Sequence, residues 1–266
     1  MNNNNTAVII QARYGSSRFP GKILKKINER TVLSLVIERA LHIPNVNEVI
    51  CTIPDSKEND CIVEEAKKNS IKIIRGSEND VLDRYFQTAF SHNIKYIIRI
   101  TSDCPLIDPK ICGNVLNLLH EKEADYACNA TPPSFPHGLD CEAFVFEWLE
   151  RSANEAKRPS EREHVTQFMR NHPDCKKVNL MGPGGKIVNY RWTIDTEADL
   201  KFLRALHNLM PSTKNIFNYE EIISIIEKKP DLIKINAGYD RYHGLRKSLI
   251  QDKQSGFYND KRDPNI

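Results

Sequence analysis

The sequence predicts a doubly wound α/β domain, a mostly parallel sheet with helices on both faces. Two observations carry that expectation. Short β-branched apolar runs alternate with longer segments of helical periodicity, joined by connections of a few residues. The first run, Thr6-Ala7-Val8-Ile9-Ile10-Gln11-Ala12, is apolar at nearly every position, as a strand buried on both faces must be. The 266 residues, 40% hydrophobic and 27% charged, suffice for one large domain with a sizeable core.

The elements follow in order. After the strand over 6–12 comes a loop, 13–22, broken by Gly15, Pro20 and Gly21. A helix is expected from Thr31, a good N-cap, to 42; Val32, Leu33, Val36, Ile37, Ala40 and Leu41 form its apolar face, and Pro44 closes it. Strands over 48–53, 71–75, 95–100 and 125–129 alternate with helices over 56–69, 80–92 and 109–121. The rhythm then breaks. A loop over 131–138 leads into a strand and helix over 139–147, a helix over 161–170 stopped by Pro173, and a hairpin of 176–180 with 186–194 around Gly182-Pro183-Gly184-Gly185. The block over about 131–190 is thus expected to be an α+β excursion from the sheet. Helices over 195–208 and 219–228 complete a domain of residues 1–234. The polar remainder, 235–266, is expected to be extended or partly disordered.

Composition narrows the function. With 38 basic and 35 acidic residues the net charge is +3, too balanced for a dedicated nucleic-acid binder. No apolar run approaches the ~18 residues that would span a membrane. Met1-Asn2-Asn3-Asn4-Asn5 lacks the basic and apolar regions of a signal peptide, so the cytoplasm is the expected compartment. The seven cysteines are scattered and odd in number, without a C-x-x-C pair. They suggest reduced thiols filling the core rather than zinc or disulfides.

Three segments carry candidate chemistry. The loop Gln11-Ala12-Arg13-Tyr14-Gly15-Ser16-Ser17-Arg18-Phe19-Pro20-Gly21-Lys22 follows the first strand, at the edge where such sheets bind ligands. Small residues let its amides form an anion nest, and Arg13, Arg18 and Lys22 add three cations within ten residues, which suits a triphosphate. It is neither G-x-x-x-x-G-K-[ST] nor G-x-G-x-x-G. Asp103 follows a hydrophobic strand in Thr101-Ser102-Asp103-Cys104-Pro105-Leu106-Ile107-Asp108 and is either a metal ligand or a cap, whereas Asp108 caps the helix opening at Pro109. In Arg191-Trp192-Thr193-Ile194-Asp195-Thr196, Thr196 and Asp199 have capping-box spacing, which frees Asp195 to act as a ligand. Two aspartates beside a cationic loop make a consistent site for Mg²⁺ and a nucleotide.

With these motifs in place, the segment 7–22 resembles the N-terminal signature of the cytidylyltransferases that make CMP-activated acidic sugars, such as the CMP-Kdo and CMP-sialic acid synthetases. It is particularly similar to the branch called spore-coat polysaccharide biosynthesis protein F. Asp80-Val81-Leu82-Asp83-Arg84-Tyr85, Asp103-Cys104-Pro105-Leu106-Ile107-Asp108, Gly138-Leu139-Asp140-Cys141-Glu142, Glu161-Arg162-Glu163-His164-Val165 and Arg191-Trp192-Thr193-Ile194-Asp195-Thr196 extend the likeness over about 6–208. The resemblance implies a Rossmann-like nucleotide-diphospho-sugar transferase fold with a dimerisation arm in the excursion, and hence a homodimer. It implies that Arg13, Ser16, Arg18 and Lys22 hold phosphates. Asp103 and Asp195 would bind Mg²⁺, and Asp83 and Arg84, in the segment 76–84, would line base and ribose. Ala12, Gly15 and Gly76 would complete the nucleotide site, with Arg13, Lys22 and Asp103 carrying the chemistry. Cys104 departs from the D-E-P-L-I variant of the sugar-activating members.

The acceptor is less legible. Alternation puts Asp140 and Glu142 on one strand face, either for acceptor recognition or as a solvated surface. Ser160 and Glu163 have capping-box spacing, and His164 is either an acceptor contact or a structural helix residue. The expected activity is Mg²⁺-dependent transfer of CMP from CTP to an acidic sugar or phosphorylated acceptor, with pyrophosphate released, in surface polysaccharide or glycan biosynthesis. The rivals are a glycosyltransferase, for which no good D-x-D motif is present, and a catalytically silent nucleotide binder.

Overall fold

The computed structural model describes residues 5–16, 18–212 and 214–257. Its elements in chain order begin with β1 (Thr6–Gln11), the ribbon β2 (Lys26–Ile27) and β3 (Arg30–Thr31), and α1 (Val32–Leu41). Next come β4 (Glu48–Pro54), α2 (Asp60–Lys68), β5 (Lys72–Gly76), α3 (Val81–Ser91), β6 (Tyr96–Thr101) and α4 (Pro109–Glu121). Then follow β7 (Tyr126–Cys128), β8 (Glu142–Val145), α5 (Phe146–Glu155), α6 (Pro159–His164), α7 (Gln167–Asn171) and β9 (Lys177–Asn179). The chain ends in α8 (Glu197–His207), α9 (Tyr219–Lys228) and α10 (His243–Gln254).

The most continuously apolar run becomes an interior strand. β1 pairs in parallel with β4 on one side and β6 on the other, within a seven-stranded sheet ordered β5-β4-β1-β6-β8-β7-β9. Its side chains alternate between two cores. Val8 and Ile10 pack with Leu33 and Val36 of α1, Ile62 of α2 and Val115 of α4. Ala7 and Ile9 pack with Leu82 and Tyr85 of α3 and Trp148 of α5. Each fully buried aliphatic side chain contributes roughly 1.5–3 kcal/mol, so this strand anchors both layers. The fold is therefore a mostly parallel α/β sheet with helices on both faces, as the alternation predicts.

The helix starts follow the expected chemistry. Thr31 Oγ1 accepts from the Ser34 amide at 3.0 Å. Asp108 Oδ1 accepts from the amides of Lys110 and Ile111, with Pro109 at the first helical position. Thr196 and Asp199 form a capping box on α8. Six of the seven cysteines are buried, and all are free thiols. No helix among the described residues is long and apolar enough to cross a membrane.

The block 131–190 is the α+β part, and it returns two strands to the sheet. β8 enters between β6 and β7, antiparallel to both. Four expectations are corrected. The hairpin of 176–180 with 186–194 does not form: β9 pairs in parallel with β7, and Gly185–Asn189 is a 3-10 turn. The single helix over 161–170 is broken into α6 and α7 at Val165, whose φ of 61° no helix accommodates. The Ser160–Glu163 capping box is replaced by Glu161, whose Oε2 accepts from the amides of Lys157 and Arg158. The tail is not extended over 243–254, where α10 packs on α6; residues 258–266 lie outside the described residues. Its weak apolar pattern hid it, because polar contacts hold it: Asp252 accepts from the Ser160 amide at 2.8 Å and its hydroxyl at 2.5 Å.

Gly113 offers a check on the packing of α4 against the chain after α1. In an exposed helix, Gly→Ala is stabilising by about 1 kcal/mol. Here a Cβ would lie 2.9 Å from Pro44 Cδ and closer still to Cγ. Gly113→Ala is expected to destabilise by about 1–3 kcal/mol, the scale of overpacking, read as a lower urea midpoint.

Candidate active site

The carboxyl ends of β1 and β6 lie side by side, with the Ser102 amide donating to Gln11 O at 3.2 Å. The loop after β1 folds back on itself: the Gly21 amide donates to Tyr14 O at 3.1 Å, and the Tyr14 amide to Asn59 Oδ1 at 2.8 Å. Gly21 is in the left-handed region at φ 65°, where a Cβ would meet the Tyr14 ring at 3.1 Å. This turn starts the 3-10 segment Lys22–Leu24 and brings Lys22 back to the sheet edge.

Lys22 joins the other two motifs. Its Nζ donates to Asp103 Oδ2 at 2.6 Å and to Asp195 Oδ1 at 2.8 Å. Asp103 is thus no helix cap. Asp195 is held from its other side: Arg18 Nη2 lies 2.9 Å from Oδ1, and Arg191 Nη2 donates to Oδ2 at 2.7 Å. Behind it, fully buried Asp199 accepts from Arg191 Nε at 2.8 Å and from the amides of Asp195 and Thr196, each at 2.9 Å. The backbones are tied as well, since Ile194 N and Thr193 Oγ1 both donate to Asp103 O. Burial disfavours each charge, but Lys22 holds both carboxyls below their usual range, and they hold its ammonium above its own. All three are charged at neutral pH.

Two clefts meet at this triad. The first, about 260 Å³, is lined by Ala12, Arg13, Gly15, Ser16, Arg18 and Lys22 of the loop, by Val81 and Arg84 of α3, and by Asp103, His164 and Asp195. Arg84 is buried, donates to Ser77 O and Glu78 O, and has no partner for its Nε among the described residues. The second, about 300 Å³, takes Arg18, Asp103, His164 and Asp195 as a shared wall. It adds Arg99, Cys104, Asp140, Glu142, Thr166, Arg170 and Arg241. Burial pushes the Cys104 thiol well above its usual range, so it stays protonated.

In parallel with this geometry, the family model for cytidylyltransferases matches residues 7–235. The chain belongs to the cytidylyltransferase family. It is a nucleotidyltransferase enzyme, and solved and curated relatives agree. A cytidylyltransferase structure from Leptospira borgpetersenii serovar Hardjo-bovis superposes with a TM-score of 0.82 at 32% identity, over 89% of this chain and 99% of that one. The spore coat polysaccharide biosynthesis protein SpsF of Bacillus subtilis is 27% identical over 234 residues, 86% of this chain and 96% of its own. A CMP:2-keto-3-deoxy-manno-octonic acid synthetase complexed with CTP shares the fold, with a TM-score of 0.59 at 20% identity over 77% of this chain and 98% of that one.

Within this cytidylyltransferase, most of the sequence-derived candidates converge on the first cleft, Asp140 and Glu142 line the second, and Asp83 and Gly76 line neither. Asp83 sits in the first turn of α3, its amide bonded to Asp80 Oδ1 and its carboxylate to Gln87. Gly76 does not line the cleft; it leaves room for Arg84, whose Cγ would be 2.9 Å from a Cβ there. Asp140 and Glu142 share the second cleft, but neither belongs to a merely solvated face. Asp140 pairs with Arg241. Buried Glu142 pairs with Arg99 and accepts from Tyr126 Oη at 2.5 Å and Thr166 Oγ1 at 2.7 Å. His164 Nε2 lies 2.9 Å from Ser248 Oγ, and burial pushes its ring toward the neutral form.

Sequence reasoning found Arg18 but missed the other arginines that line the second cleft, Arg99, Arg170 and Arg241. One signal was available for Arg99: a cation inside the apolar run Tyr96-Ile97-Ile98-Arg99-Ile100 demands a buried partner, which β8 supplies as Glu142 directly opposite. Removing that partner leaves Arg99 uncompensated, so Glu142→Gln is expected to destabilise by about 3 kcal/mol at pH 7. Burial raises the Glu142 carboxyl but Arg99 holds it below the ordinary value of 4.5, so its contribution is complete above that value. It is lost as the pH falls below 4.5 through the depressed folded value. Urea denaturation of both proteins should therefore show the gap between them narrowing below that pH.

Proposed function

We propose that this enzyme transfers CMP from CTP to a small anionic acceptor, an acidic sugar or a phosphorylated alcohol, in surface polysaccharide or glycan biosynthesis. The carrying observation is the Lys22–Asp103–Asp195 triad, whose two carboxylates stand on the wall shared by the two clefts while Lys22 lines the first. The first cleft takes the nucleotide and the second the acceptor, so the two substrates meet at the triad. The CTP complex of the structural neighbour and the name of the Bacillus relative support the choice of nucleotide and pathway.

In the reaction an acceptor oxygen bonds to the α-phosphorus, the bond to the bridging oxygen breaks, and pyrophosphate leaves while the acceptor proton passes to water. Arg13, Arg18 and Lys22 bind and neutralise phosphate oxygens as charge moves onto the leaving group. Arg84 and the backbone near Ala12 hold the nucleoside end. Arg170, whose side chain makes one bond among the described residues, to Thr131 Oγ1 at 2.9 Å, faces the acceptor with guanidinium donors to spare.

The donor set fits Mg²⁺. Asp103 and Asp195 converge within reach of one ammonium, both partly exposed and both hard oxygen donors. Among the described residues no group of three or more His, Cys, Asp or Glu could hold a metal. The ion suited to such a place takes one or two carboxylates and completes its shell with substrate oxygens and water. When bound there, Mg²⁺ supplies charge neutralisation on the triphosphate.

Two measurements test the reading. Asp103→Asn should lower pyrophosphate release by about 100-fold or more while the circular dichroism spectrum is retained, and EDTA should silence the wild type; an active variant would overturn the metal assignment. In calorimetry with Mg²⁺ at one ionic strength, CTP should bind about tenfold or more tightly than ATP or GTP and more tightly than UTP, because a mismatched base leaves buried polar groups unpaired. Equal affinity for CTP and ATP would show that only phosphates are recognised.

A further inference from the structure

The family match ends at residue 235, yet the next segment of chain reaches the centre of the molecule. Asn236 is buried and donates from Nδ2 to Arg191 O at 2.9 Å and Asp199 Oδ1 at 3.0 Å, behind the catalytic triad. The Tyr239 ring lies 5.3 Å from the Arg191 guanidinium. Arg241 then turns into the second cleft, and α10 closes the segment onto α6. Ser248 Oγ donates to Glu163 Oε2 at 2.6 Å and meets His164 Nε2 at 2.9 Å, while Asp252 holds Ser160. The acceptor cleft is incomplete without this segment.

Arg241 is the charged side chain that the segment adds. Its Nη2 pairs with Asp140 and its Nη1 donates to Phe135 O at 3.2 Å. Those bonds fix the plane of the guanidinium and leave its Nε–H without a partner among the described residues. Of the four arginines lining the cleft, Arg18, Arg99 and Arg241 each face a carboxylate, and Arg170 has none within ion-pair distance among the described residues. Arg170 thus keeps guanidinium donors free, while Arg241 is the guanidinium held rigidly by its neighbours. A planar fork fixed in place recognises an oxyanion at lower entropic cost than a free lysine or arginine would.

We propose that Arg241 determines acceptor specificity: with Arg170 it reads an oxyanion of the acceptor, and Asp140 is its positioning residue. The proposal rests on the assignment of the second cleft to the acceptor. It places acceptor choice in a segment outside the family match, so that the nucleotide machinery of the family is kept while the acceptor is set by this chain's own C-terminal part.

The test uses full-length wild type, Arg241→Gln, Arg241→Lys and Asp140→Asn, with CTP affinity measured first by calorimetry. Each protein, saturated with CTP and Mg²⁺, is then titrated by NMR with pyruvate as a carboxylate probe and inorganic phosphate as a phosphate probe. Wild type should bind one of the two anions in the millimolar range, and which one it prefers identifies the acceptor's oxyanion. Arg241→Gln should weaken that binding about fivefold or more, Arg241→Lys less, and Asp140→Asn to an intermediate degree, with CTP affinity unchanged within about twofold. Equal anion affinity in wild type and Arg241→Gln overturns the proposal, as does a wild type that takes neither probe at about 100 mM, a concentration that would reveal any site worth more than about 1.5 kcal/mol. A failure of the nucleotide assignment is distinct, since it appears as absent CTP binding; the titrations are then read on the free protein with the same two outcomes.

Discussion

The arrangement of the molecule depends on one cation between two carboxylates. Lys22 reaches Asp103 and Asp195, which are 81 and 173 residues away in sequence, and all three side chains are largely buried. Burying any one of them alone would be costly, because a desolvated charge without its partner loses several kcal/mol. Together they are tolerated, and their mutual need fixes where the loop after β1, the end of β6 and the approach to α8 must sit.

The layers behind the triad explain why it holds its shape. Asp195 is gripped by Arg18, Lys22 and Arg191, Arg191 by Asp199, and Asp199 by two backbone amides at the start of α8. A helix cap therefore does two things at once: it satisfies the amides of its own first turn and orients the arginine that supports a site carboxylate. The same economy recurs at Glu142, which closes a strand register with Arg99 and also takes hydroxyls from Tyr126 and Thr166. Beside the second cleft's His164 and Thr166, Val165 has a φ of 61° while fully buried. The break it makes separates His164 from Thr166 and lets both line the second cleft, a placement that a continuous helix would not give.

What was legible in the sequence was whatever rests on local pattern. β1 announced itself by its apolar continuity, the parallel halves by alternation, and the starts of α1, α4 and α8 by Thr31, Asp108 and Thr196. The cleft residues of the first loop were legible because their charges cluster within a few positions. What was hidden depends on pairing at a distance. Arg170 and Arg241 are unremarkable surface-type residues until the fold sets them in one cleft. The break at Val165 goes against the helical preference of its neighbours, and α10 is held by Ser160, Glu163 and His164 rather than by an apolar face. The motif alone does not show that Gly76 lies against the Arg84 side chain or that Asp83 lies in the first turn of α3, beside the capping Asp80.

The reversed direction of β8 couples the two clefts. The nucleotide-side residues follow the ends of β1 and β6, so their loops are bound to strands whose register the whole sheet fixes. Asp140 and Glu142 arrive at the same edge from the opposite sense, at the beginning of a strand rather than after one. The connection that delivers them, between β7 and β8, is laced to the backbone that leads to Asp195: the His137 amide donates to Tyr190 O at 2.9 Å, and the Trp192 amide to His137 O at 2.7 Å. A change in that connection is therefore felt twice, directly at the wall of the second cleft and, through Arg191 and Asp195, at the carboxylate that both clefts share.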